Sequence, residues 1–131
     1  MLEAFVFSKL KEALAEKKVN VYPGFVNENK KQPAVFYTQI SQTPVRTLNA
    51  ISIYRFVYQV TILSESLKEA KELSFLIRQA FNNAIDESYS GLKIIDCVIT
   101  NETVTADTRE RSTATFFIID LDVRIIVEEV S

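Results

Sequence analysis

The sequence predicts an α+β domain: an antiparallel sheet of about four to five strands with two helices packed on one face, in the order αβββ-α-ββ. Three observations lead there. Two segments repeat apolar residues every three or four positions, as amphipathic helices do. Several others are rich in β-formers or alternate apolar with polar residues, as half-buried strands do. The chain holds only two glycines and three prolines, so it has few breaks and long regular elements. Its 131 residues form one domain, spanning 1–131, large enough to fold without disulfide or metal staples.

Leu2, Phe5, Val6, Leu10, Ala13 and Leu14 make one helical stripe, with Glu3, Ser8, Lys9, Lys11, Glu12 and Glu16 between them. This predicts a helix over 2–17, ending at Lys17-Lys18, where cations suit the helix dipole. A short extended segment, 19–22, is stopped by Pro23-Gly24, and 27–33 is a polar connection. Residues 34–42 read as a strand closed by Pro44, and 44–52 is the most loop-like stretch. Residues 53–63 are the clearest strand: Tyr54, Phe56, Tyr58, Val60 and Ile62 form one apolar face, and Arg55, Gln59 and Thr61 the other. Ser66-Leu-Lys-Glu69 has the spacing of a capping box, in which the Ser66 hydroxyl and Glu69 carboxylate each satisfy a free backbone N–H. The helix it opens carries Leu67, Ala70, Leu73, Leu76, Ile77, Ala80, Phe81 and Ala84 on one side and ends near Ile85. Strands over 92–105 and 113–127 follow, joined by a polar turn at 106–111.

Composition removes several chemistries. The chain has no histidine, so it cannot build a Ser-His-Asp or Cys-His system. Its one cysteine, Cys97, excludes an intrachain disulfide or a CxxC site and suits a reducing compartment. Cys97 lies in an apolar run and reads as a small buried hydrophobe rather than a nucleophile. No apolar run approaches membrane length, the N-terminus does not read as a signal peptide, and Asn101-Glu102-Thr103 is a chance sequon. Net charge is −2, divided as +3 over residues 1–50 and −5 over 51–131. That is no basic stripe for nucleic acid. Phe36, Tyr37, Tyr54 and Tyr58 could stack bases, but only Arg55 lies among them, so core or interface is the better reading.

Asp120-Leu-Asp122 is the most provocative pattern, since carboxylates at i and i+2 on one strand face can share a divalent cation. No third acid or lysine joins them in sequence, and a solvated or paired outer face is the expectation, with Arg55 a candidate partner. Phe117, Ile119, Leu121, Val123 and Ile125 would face the core. Ile118 and Ile126 share the aspartates' face, and a face mixing apolar and charged groups suggests packing against another chain or a second layer of the same one.

Four stretches then carry a resemblance: the first helix leading to Val21-Tyr-Pro23; Gln32-Pro-Ala-Val-Phe-Tyr37; Tyr54–Ile62 running into Ser66–Leu73; and Phe116-Phe-Ile-Ile-Asp-Leu-Asp-Val123. Together they resemble the tail-completion proteins (tail-terminator, head-to-tail joining) of long-tailed bacteriophages and prophages. The resemblance implies a structural virion protein without catalytic turnover or cofactor, assembled in the bacterial cytoplasm. It would form a hexameric ring at the neck, ending the tail tube and docking it to the head connector. DNA would pass through the lumen without specific binding. Carried onto this chain, the docking or lumen loops would hold Arg46, Thr47, Asn49, Asp107, Arg109 and Glu110, and Asp120 and Asp122 would form an acidic strand face. The rivals are a monomeric or dimeric protein-binding regulatory module and a metal-dependent nuclease using Asp120 and Asp122. No bound metal and no membrane contact are expected.

Overall fold

The computed structural model describes residues 2–26, 33–45, 53–85, 87–108 and 115–129. Among these residues two helices, α1 (Glu3–Ala13) and α2 (Leu67–Asn82), accompany six strands. These are β1 (Asn20–Pro23), β2 (Ala34–Val45), β3 (Ile53–Ser64), β4 (Ser88–Tyr89), β5 (Leu92–Thr108) and β6 (Thr115–Glu129). They form one sheet in the order β1-β2-β3-β6-β5-β4, curled into a half-barrel.

This corrects the expected sheet of four to five antiparallel strands in the order αβββ-α-ββ. The sheet has six strands and is mixed, because β1 runs parallel to β2, with Asn20 opposite Ala34 and Pro23 opposite Tyr37. The unforeseen strand, β4, pairs Ser88 with Lys93 and Tyr89 with Leu92. Its turn is Ser90-Gly91, both at positive φ (48° and 83°). Such a two-residue turn twists with the strands it joins. The sequence shows only a polar break there, since two residues of strand carry no periodicity.

Other boundaries moved for physical reasons. β2 runs through Pro44, which sequence reading makes a terminator. Among the described residues no strand covers the outer side of β2 beyond Tyr37, and proline is tolerated on an edge strand of this kind. β5 continues to Thr108 through part of the expected turn. The capping of α2 is less direct than the expected box. Ser66 Oγ accepts from the Glu69 N–H at 3.2 Å, but the Ser66 N–H donates to Ser64 Oγ at 3.1 Å. The Ser64 hydroxyl in turn donates to Glu69 Oε1 at 2.8 Å. A buried serine is thus inserted into the reciprocal pair.

The core lies between the sheet and the helices. β3 contributes Phe56, Tyr58, Val60 and Ile62; β6 contributes Ile119, Leu121, Val123, Ile125 and Val127. These meet Ala70, Leu73, Ile77 and Phe81 of α2 and Leu2, Phe5, Val6 and Leu10 of the first helix. Phe117 is only half-buried, opposite Ser64. Its neighbour Phe116 is buried instead, in a second cluster with Ala34, Phe36 and Leu63. Lys9, expected on the solvent side, is mostly covered and pairs with Glu87 at 2.6 Å, tying α1 to the segment before β4.

Candidate interaction surface

β6 sits between β3 and β5, so its register settles what shares the sheet face away from the helices. Thr61 lies opposite Asp120 and Gln59 opposite Asp122; on the other side Thr103 faces Asp120 and Asn101 faces Asp122. Both carboxylates therefore stand half-buried among hydroxyl and amide neighbours. The Thr61 hydroxyl donates to Asp120 Oδ1 at 2.7 Å, and Thr100 Oγ1 donates to the Asp122 carbonyl at 3.3 Å. Arg55 is not their partner: it lies opposite Ile126. The arginine that engages an acid here is Arg124, whose Nη2 is 3.3 Å from Asp96 Oδ2.

Among the described residues no group of three or more acidic or thiol side chains is placed to hold a metal. The strand pair Asp120 and Asp122 thus lacks a third ligand there. The face is instead a polar, mildly acidic strip between two apolar ends. At one end lie Leu63, Phe36, Phe116 and Ile118, with Tyr22 stacked on Phe36 at 5.5 Å. At the other lie Val57 and Ile126, both half-buried.

The helix side shows a polar cluster that sequence reading missed. Glu102 of β5 accepts a hydrogen bond from the Ser74 hydroxyl and lies 3.1 Å from Arg78 Nη2 and 3.7 Å from Lys71 Nζ. The Ser74 bond holds its carboxyl below the ordinary range, with help from Arg78 and Lys71 and against burial. Lys71, Ser74 and Arg78 are three and four residues apart, so they line one side of α2. That spacing was visible in the sequence; their target was not.

Cys97 is buried, and burial pushes its thiol up to about 12, which disfavours the nucleophilic thiolate. Phe36, Tyr37 and Tyr58 are buried, so they offer no stacking platform. Tyr58 donates to Gln39 Oε1 at 3.1 Å, and burial raises its hydroxyl pKa. Between the end of α1 and α2 an open groove of about 850 Å³ is lined by Ala13, Lys17, Lys68, Lys71, Phe75 and Leu76 among others. Phe75 is 58% exposed, outside the apolar stripe the sequence displays.

The two long hairpins point opposite ways. The β2–β3 connection leaves at Val45 and Ile53, level with Glu128 and Lys93. The β5–β6 connection leaves at Thr108 and Thr115, beyond the Ser64 end of β3. A 12-residue strand separates these ends by about 40 Å at about 3.3 Å per residue. Arg46, Thr47, Asn49, Arg109 and Glu110 lie outside the described residues. The backbone of Asp107 is in β5 opposite Phe116 rather than in a loop.

With the curled sheet and both helices placed, the chain can be set beside solved structures. One chain in the solved virion of a native gene transfer agent particle superposes over 94% of this chain and 91% of its own, at 15% identity and TM-score 0.55. The two share a fold. A second solved structure matches over 95% of this chain and 93% of its own, at 14% identity and TM-score 0.52. No protein-family model matches the chain, and no curated protein matches it in sequence. No helix among the described residues is long and apolar enough to cross a membrane.

Proposed function

We propose that this chain is a structural protein of a phage-like virion. In this reading it forms a ring, a hexamer, at the head–tail junction, where it ends the tail tube and docks it to the head connector. The observation that carries the reading is the fold shared, over nearly its whole length, with a chain of the gene transfer agent virion. The resemblance in sequence to tail-completion proteins points the same way.

Two features of the sheet support the joining role. A protein set between tube and connector needs contact surfaces on opposite sides, and the two long hairpin connections leave at opposite ends of the sheet. A lumen that passes DNA must not bind phosphate through basic residues. The strip of Asp96, Asp120 and Asp122, offset by Arg124 and Arg55, suits that condition if it faces the lumen.

The reading is tested by light scattering behind size exclusion over a concentration range, with negative-stain images of the same peak and with purified tail tubes added. Closed rings in solution, or a ring-shaped cap on tube ends, are the expected result. A chain that stays monomeric and leaves tube ends bare would overturn it.

A further inference from the structure

Resting on the ring reading, we infer that neighbouring subunits join by extending the sheet: the free edge of β5 in one copy pairs with the free edge of β2, Thr38–Thr43, in the next. Among the described residues both edges are only partly covered. β4 covers only Leu92 and Lys93 of β5, and the Ile94 N–H is taken by the Glu87 carbonyl at 2.8 Å. Among the described residues no strand covers that side of β5 from Asp96 onward. At the opposite margin β1 covers only Ala34–Tyr37 of β2, and no described strand covers Thr38 onward. Uncovered backbone of this kind is a template for pairing with another chain.

Direction and height both fit. β2 is antiparallel to β3, β3 to β6, and β6 to β5, so the two margins run in opposite senses. A copy rotated about an axis along the strands therefore brings β2 beside β5 as an antiparallel pair, like the three junctions inside the sheet. The register places Thr38 level with Gln59, Asp122 and Asn101, and Thr43 level with Arg55, Ile126 and Asp96. The uncovered Thr38–Thr43 and Asp96–Asn101 thus stand at the same height. Rotation without translation gives a closed ring rather than a helical filament.

The occupant is a second copy because only a copy fills both edges at once; a peptide from another protein would leave one uncovered. The irregularities of the two edges also suit a limited pairing. Bulges interrupt β2 between Gln39 and Ser41, and β5 between Ile94 and Asp96 and between Ile99 and Asn101. Pro44 and the bulge at Ile95 bound the two stretches, while the bulges at Ile40 and Thr100 fall inside them and keep each ladder short, which discourages open-ended stacking. The bulge residues Ile40, within the β2 stretch, and Ile95, next to the β5 stretch, are apolar side chains 52% and 38% exposed.

Hydrogen exchange read by mass spectrometry on the full chain, as monomer and as ring (free or on tube ends), tests the pairing. Amides of residues 38–43 and 96–101 should slow by about tenfold or more in the ring, while the already paired centre of β6 is unchanged. Ile40→Lys should abolish rings while the monomer keeps its circular dichroism and melting temperature. Rings whose edge amides exchange at the monomer rate, or rings that persist in Ile40→Lys, would overturn edge pairing and leave the ring reading standing. Absence of rings both in solution and on tubes would remove both.

Discussion

Thr61 and Asp120, fifty-nine positions apart in sequence, are joined by a 2.7 Å hydrogen bond across the β3–β6 pair. The bond gives a half-buried carboxylate on the helix-free face a fixed donor. Replacing Thr61 with Val keeps the shape and removes that donor. The expected cost is about 1 kcal/mol, read by urea unfolding. A double-mutant cycle with Asp120→Asn should show a coupling of at least about 0.5 kcal/mol; strict additivity would mean the two groups act independently.

Glu102 links α2 to β5 through Ser74, Arg78 and Lys71. Its carboxyl is held below the usual range in the folded chain, so its charge contributes stability that is present above the unfolded value of about 4.3 and lost as pH falls through the folded value. Wild type should therefore exceed Glu102→Gln in stability at pH 7, and the gap should close on acidification below about pH 4. Ser74→Ala should cost about 1 kcal/mol at pH 7. A gap independent of pH would place the effect in packing rather than charge.

Ser64 serves two partners at the start of α2, accepting from the Ser66 N–H and donating to Glu69. Ser66 itself caps only the Glu69 N–H. Ser64→Ala strands both partners and should destabilise by about 2 kcal/mol, against about 1 kcal/mol for Ser66→Ala. Chemical denaturation of the two variants decides the order, and the reverse order would restore the direct capping box.

Cys97 is buried, with its thiol raised to about 12. At pH 8 the native chain should show almost no reaction with a thiol reagent, and one equivalent should appear once the chain is unfolded in urea. Rapid labelling of the native chain would contradict the burial and expose a reactive site.

Much of the local structure is legible in the residues themselves. The alternation from Tyr54 to Ile62 predicts the core face of β3, where Phe56, Tyr58, Val60 and Ile62 are all fully buried. Ile119, Leu121, Val123 and Ile125 do the same for β6. The stripe Ala70, Leu73, Ile77 and Phe81 marks the buried side of α2, and Ser66 marks its start. The candidate face was legible in outline, because the period of two already sets Asp120, Asp122, Ile118 and Ile126 together. Its neighbours were not: the sequence offers Arg55 as a partner for the aspartates, and the register sets it opposite Ile126.

By itself the sequence determined the type of each long element, the side that each turns to the core, and the absence of histidine and disulfide chemistry. Those properties rest on residues a few positions apart, whose periodicity and chemical identity need no partner. Tertiary structure alone decided that β1 lies parallel to β2, that β4 adds a sixth strand, that Pro44 can sit in a strand whose outer side no described strand covers, and that Glu102 meets Ser74. It also decided that the two hairpins leave at opposite ends and that the edges of β2 and β5 left open by the described strands stand level. Each of these depends on which distant strands become neighbours and in what register, a choice made by the packing of the whole sheet rather than by any local run of residues.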